Sequence, residues 1–224
     1  MQQRGIFVVL DGPDKSGKET QSKLLTRRIR STGRAARLFS FPRYRDGASY
    51  VARQYLKGRY AGATPEQSSL GFTADRLDWW FRVGKPLLEK GKHVIADRWV
   101  ISNLAHQGAK LANFETRRLY YDWQANLEHT DLALPRPDIT IILRISPETR
   151  AAFMQSAGGP KDIHERDMAY LGRVAEAYLE LSQLPAVSPK TVVVECDANG
   201  VLLTPDQVHE RVWAHVAPLL AAAT

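Results

Sequence analysis

Ile6-Phe7-Val8-Val9-Leu10-Asp11-Gly12-Pro13-Asp14-Lys15-Ser16-Gly17-Lys18-Glu19-Thr20 is the stretch that decides the fold. Its first five residues are apolar and β-prone, which predicts a short buried strand. A turn with two glycines follows. Helical spacing then begins near Lys18, where Leu24, Leu25 and Ile29 recur, and Gly33 supplies a stop signal. Strand, glycine turn and helix match G-x-x-x-x-G-K in the context that motif requires. Gly12 and Gly17 allow the backbone N–H groups to point inward at phosphate oxygens. The helix N-terminus adds positive partial charge, and Lys18 adds a full one. Gly12, Pro13, Asp14, Lys15, Ser16, Gly17, Lys18, Glu19 and Thr20 are therefore the candidate residues for ATP phosphates. One position departs from the pattern. The hydroxyl residue that usually follows the lysine and binds magnesium is replaced by Glu19. Three readings of Glu19 stay open: a magnesium ligand, a first-turn residue facing away, or a mark of lost activity.

Outward from this stretch, strand and helix alternate. Further strands are predicted at 36–41, ended by Pro42, at 93–96, running into Asp97 and Arg98, at 139–145 and at 191–195. Helices are predicted at about 18–31, 48–57, 66–89, 99–110, 114–129, 147–155, 165–181 and 205–220. Strands separated by helices imply βαβ crossovers and a parallel sheet. The fold class is α/β: a doubly wound, five-stranded parallel sheet flanked by helices, within a single domain spanning 1–224. Such sheets bind ligands at the carboxyl ends of their strands. Residues 11–20, 41–44, 97–98 and the segment after Ile145 fall there.

Composition narrows the partners. Lys and Arg number 31 against 24 Asp and Glu, a net charge of +7 that suits nucleic acid and small polyphosphates alike. Arg27, Arg28, Arg30, Arg34 and Arg37 read as a solvated helix face. No zinc-finger spacing or aromatic-basic RNA motif accompanies them, so no nucleic-acid partner is expected. The apolar run 6–10 is too short for a signal peptide or a membrane span, so no membrane partner is expected either. Cys196 is the only cysteine, which rules out an intrachain disulfide and suits a reducing, cytoplasmic setting.

Five further motifs follow residues 12–20: Phe41-Pro42-Arg43-Tyr44, Asp75-Arg76, Asp97-Arg98-Trp99-Val100-Ile101-Ser102-Asn103, Leu134-Pro135-Arg136-Pro137-Asp138 and Glu165-Arg166-Asp167. Each is short; their order and spacing together are specific. On these motifs the chain, from Gly5 to about Leu181, resembles the thymidylate kinase family. The resemblance implies a P-loop NTPase type of fold with a short lid at about 155–164. It implies the reaction ATP + dTMP → ADP + dTDP, in line and with magnesium, on small-molecule substrates and in a homodimer. The neighbouring alternatives are a kinase for another monophosphate such as dUMP, or a nucleotide-binding homologue with impaired transfer.

The resemblance also distributes roles. Lys15, Lys18, Asp14, Arg98 and Asp97 are the catalytic candidates. Asp14 stands where the family places an acid that contacts the sugar or orders the magnesium shell. Lys15 matters because the stretch 155–163 has only Lys161 as a basic residue, so transition-state charge must come from Lys15 with Lys18. Arg98 forks onto phosphate, with a strand-end salt bridge to an acid as the plainer reading. Phe41 and Tyr44 line the nucleotide site, and Arg43 or Arg45 meets the acceptor phosphate. Phe72 and Arg76, four apart on one helix face, stack on the base and donate to its carbonyl. Asn103, His106 and Gln107 face the pyrimidine and sugar. The family usually carries Tyr where His106 stands, which bears on the choice of deoxyribose over ribose. Asp162 and Glu165 match the lid acids, the alternative for both being a solvated helix start. Asp14, Asp97 and Glu165 are the metal candidates. The segments 77–81 and 119–123 are the candidate homodimer face.

Overall fold

β1 (Phe7–Asp11) is buried at all five positions, as a strand must be when helices cover both faces of its sheet. In the computed structural model, which describes residues 4–149, 168–184 and 190–223, β1 lies at the centre. β2 (Ala36–Ser40), β3 (His93–Asp97), β4 (Ile139–Arg144) and β5 (Thr191–Glu195) complete a five-stranded sheet in the order β2-β3-β1-β4-β5, with every pair parallel. The strand–helix alternation thus folds as expected. Leu10 pairs with Asp97 and Asp11 with Ile142, so the loops leaving β1 and β3 emerge side by side.

The period-2 alternation of β1 divides the core. Val8 and Leu10 pack with Leu25 and Ile29 of α1 (Lys18–Ser31) and Val212 and Val216 of α8 (Pro205–Ala222). Phe7 and Val9 face the other side. There α3 (Pro65–Trp79), α5 (Val100–Gly108), α6 (Phe114–Asn126) and α7 (Met168–Ser182) supply Trp79, Leu104, Tyr121 and Tyr178. Cys196 is buried in the first of these layers, and burial pushes its thiol up to about 12. Among the described residues, no helix is long and apolar enough to cross a membrane.

Four elements differ from expectation. The helix expected at 66–89 is interrupted. After α3 the backbone widens into a π-turn, Trp80–Gly84, before α4 (Lys85–Glu89). Gly84 makes room there, since a Cβ would lie 2.5 Å from the Trp79 ring. The helix at 114–129 likewise leaves α geometry after Asn126 and widens over Leu127–Asp131. The helix at 48–57 is a short 3₁₀ turn, Gly47–Ser49, followed by α2 (Tyr50–Leu56). An additional hairpin, β6 (Asp197–Ala198) and β7 (Val201–Leu202), turns through Asn199 and Gly200, both at positive φ. The lid at 155–164, with Asp162, Glu165 and the motif at 165–167, lies outside the described residues. Of the helix expected at 147–155, residues 147–149 are described and helical.

Candidate active site

The loop between β1 and α1 is shaped by its glycines. Gly12 has φ 137°, and a Cβ there would lie 2.4 Å from the carbonyl oxygen of Leu143 on β4. Backbone conformation and space both exclude a larger residue. Gly17 caps α1 in the left-handed region, and Lys15 also has positive φ. Lys18 folds back under the loop, its Nζ donating to the Pro13 carbonyl at 2.7 Å. Burial lowers its ammonium to about 8; Arg98 adds to that, while Asp14, Asp11 and Asp97 oppose it. Glu19 is exposed in the first turn of α1 and pairs with Lys23 one turn along at 2.5 Å.

A cavity opens beside this loop. Asp14, Phe41, Tyr44, Phe72, Arg76, Arg98, Asn103, His106 and Gln107 all line it. The acceptor-site candidates within the described residues, Arg43 and Arg45 apart, are thus brought to one cavity. Tyr55, Asp75 and Ser102 also line it, and no role had been expected for Tyr55. The Phe41-Pro42 bond is cis. Phe41 serves core and wall at once, packing edge-on to Trp79 and Trp99 at 5.3 and 5.0 Å.

Arg98 stands at the cavity's loop end. It has φ 71°, a conformation that costs a non-glycine residue on the order of 1–3 kcal/mol unless its surroundings fix it. They do. Its N–H donates to Leu10 O at 3.0 Å, its Nη2 donates to Asp14, and its Nη1 donates to Ser102 Oγ at 2.9 Å and lies 3.3 Å from His106 Nε2. The next N–H, of Trp99, donates to Asp11 Oδ2 at 3.1 Å. The other oxygen of Asp11 accepts from Gly12 N at 2.9 Å and Tyr178 Oη at 2.6 Å. Asp11, a buried carboxylate with no expected role, therefore ties the phosphate loop, the Arg98 turn and α7 together. The strand-end rule had pointed to its position but not to its three bonds.

Electrostatics follow from this packing. Burial works to raise the Asp14 carboxyl, but the charges of Arg98, His106 and Lys18 outweigh it and hold it below the usual carboxylate range. Asp97 behaves oppositely. Burial raises it, with Asp11 and Glu19 adding to the rise while Lys18 and Arg98 oppose it, and its Oδ1 is buried without a hydrogen-bond partner. Among the described residues no group of three or more acidic, His or Cys side chains forms a metal cluster. A cation-ready oxygen exists at Asp97, whereas Asp14 is engaged by Arg98.

At the far end of the cavity, Asn103 Nδ2 reaches the Ser69 carbonyl at 3.4 Å, and its Oδ1 is buried with no partner. Arg76 is almost wholly buried and forks onto Glu128. Arg43 does not line the cavity. Its guanidinium donates to Asp75, Asp78 and Asp46, which braces the 41–46 turn with four of its five N–H groups.

Comparisons with known proteins agree on one family. The thymidylate kinase family model matches residues 10–195. A thymidylate kinase of Nitrobacter winogradskyi is 32% identical over 95% of this chain and 88% of its own length. A probable thymidylate kinase of Pyrococcus abyssi is 33% identical over 95% of this chain and 96% of its own. Among solved structures, thymidylate kinase from Candida albicans matches with a TM-score of 0.74 at 22% identity, covering 97% of this chain and 93% of that one.

Proposed function

Because the chain belongs to the thymidylate kinase family, we propose that the cavity beside the phosphate loop is where dTMP receives the γ-phosphate of ATP. The observation that carries this reading is the pair of complementary groups at the cavity's far end. Asn103 offers a partnerless acceptor, Oδ1, and Arg76 offers guanidinium donors. Thymine presents the matching edge, an N3–H that donates and an O4 that accepts; cytosine presents the reverse at both atoms.

The chemistry is transfer between oxygens. An acceptor phosphate oxygen of dTMP attacks the γ-phosphorus, the bond to the β,γ-bridging oxygen breaks, and ADP leaves. Little covalent work falls to the protein, so charge and position dominate. Arg98 holds the acceptor phosphate at the loop end, and its bond to Asp14 fixes one arm of the fork. Lys18 and Lys15 supply positive charge around the transferred group. Asp97, with its unpartnered buried oxygen, fits a magnesium ion, which when bound neutralises charge on the β- and γ-phosphates. His106, backed by Tyr170, faces the sugar side.

Three further parts of the reading rest on the chain as a whole. Residues 1–224 act as one kinase unit with its lid at about 155–164. The single cysteine suits a cytoplasmic setting. A second copy of the chain packs on the segments 77–81 and 119–123, where Phe81, Leu119 and Trp123 are exposed; light scattering after size exclusion is expected to give a dimer mass, and a monomer at micromolar concentration would remove this part.

A panel of monophosphates in a coupled ADP-release assay, with and without magnesium, tests the whole. The expected result is turnover of dTMP and dUMP, with kcat/KM for dCMP lower by about 10²-fold or more, since a site built to hydrogen-bond one edge leaves buried groups unpaired with the other. Equal use of dCMP would sink the base assignment. ATP binding with no ADP from any acceptor would sink transfer itself.

A further inference from the structure

Glu128 belongs to none of the motifs above. It sits in the wide turn Leu127–Asp131 that ends α6, is fully buried, and accepts hydrogen bonds from three side chains. Its Oε2 accepts from Arg76 Nε at 2.7 Å. Its Oε1 accepts from Arg76 Nη2, from Thr73 Oγ1 at 2.9 Å and from Gln124 Nε2. A π-turn is an uncommon backbone shape that recurs at functional positions. Here it carries a carboxylate from a neighbouring helix to a residue of the cavity.

The bonding has two consequences. First, the guanidinium is fixed. Glu128 takes Nε and Nη2, and the Trp99 ring lies 5.9 Å from the guanidinium carbon. Only the Nη1 side is left for a ligand in the cavity that Arg76 lines. The carboxylate is itself anchored, because Thr73 and Gln124 also donate to its Oε1. Second, the charge is cancelled. A buried arginine without its carboxylate would attract whichever end of a nucleotide is anionic. Paired, it offers hydrogen-bond donors at the far end of the cavity without the net charge that would draw the phosphate from Arg98.

We propose that Glu128 is the positioning residue that gives the site its choice of base: it aims the Arg76 donor at a 4-keto oxygen and removes the charge that would let the site accept the nucleotide in other orientations. This rests on the reading that the cavity's far end receives the base. Glu128 touches no substrate; it acts through Arg76, as buried partners of a recognition arginine do when geometry sets selectivity.

The test is the ratio of kcat/KM for dTMP over dCMP, measured beside a thermal melt. Glu128→Gln replaces two acceptor oxygens by one and turns an amide N–H against the Arg76 fork. The ratio is expected to fall by about tenfold or more, mostly through a higher KM for dTMP at little-changed kcat. Glu128→Asp keeps the charge and should recover part of the ratio. Thr73→Val removes one bond to Glu128 without changing volume much. It should shift the ratio in the same direction by less, and it stands in if Glu128→Gln does not fold. The double variant Arg76→Met/Glu128→Leu replaces the ion pair with apolar groups, a change that buried pairs tolerate, and separates the two ideas. If it discriminates as well as the parent, Arg76 does not read the base and the underlying reading falls. If it loses discrimination while folded Glu128→Gln, or Thr73→Val in its place, keeps the parent ratio, the positioning role of Glu128 is overturned.

Discussion

Arg98→Ala is expected to lower kcat for dTDP formation by about 10³-fold or more, the range seen when an arginine that stabilises a transferring phosphoryl group is lost. ATP affinity should change far less, because the loop's glycines, its backbone N–H groups and Lys18 remain. The reason lies in how Arg98 is held. Backbone bonds from its own N–H and from that of Trp99 fix its left-handed turn, and three side chains contact its guanidinium. It is a pre-set charge at the loop end of the acceptor cavity. Arg98→Lys restores charge without the planar fork and should recover only part of the rate. Coupled ADP release with calorimetric ATP titration checks both statements. A loss in kcat below tenfold would remove Arg98 from the transfer step.

Lys18→Met should lower kcat/KM for ATP by a comparable factor, about 10³, since one full charge on the β- and γ-phosphates disappears from a buried site. The pH profile offers a second readout with a definite sign. Burial lowers the Lys18 ammonium to about 8 in the free protein. Only the charged form pairs with phosphate, so kcat/KM for ATP should be level below pH 8 and fall above it, with a limiting slope of about tenfold per unit. Bound phosphate raises the ammonium again, so kcat at saturating ATP should stay level through the same range. Lys110, beside Tyr55 and Gln107, is also lowered to about 8 by burial. Lys18→Met separates the two: if the inflection near pH 8 survives in that variant, Lys18 is not its source. Lys15→Ala should lower kcat while leaving dTMP binding nearly intact, and an unchanged rate would end its assignment.

What could be read from the sequence divides along physical lines. The five sheet strands were legible because each is a short apolar run bounded by a breaker. The phosphate loop was legible because its glycine spacing is dictated by backbone geometry; the contact between Gly12 and Leu143 O shows how little freedom that position has. The residues that line the cavity were legible through the family's motif order rather than through any periodicity. Glu128 was not. Nothing in Leu127-Glu128-His129 distinguishes a buried carboxylate from a solvated one, and the wide turn that presents it breaks the 3.6-residue period on which helix reading depends. Asp11 escaped for a related reason, because its bonds run to residues 99 and 178, far along the chain. The acids around Arg43 were not legible either, because arginine beside a strand end suits phosphate and carboxylate equally well, and only the fold brings Asp46, Asp75 and Asp78 to it. The 197–202 hairpin carries an Asn-Gly turn signal, but two-residue strands are too short to show alternation.

Cys196 has a practical consequence. It is the chain's sole thiol, buried beneath β5 and α8 and held well above the pH at which thiols react. The unmodified protein is therefore a quiet background for maleimide chemistry. A single cysteine introduced at an exposed position such as Leu119 or Tyr44 would take a fluorophore or spin label alone, so distances between copies, or changes as nucleotides bind, become measurable without first removing any native residue.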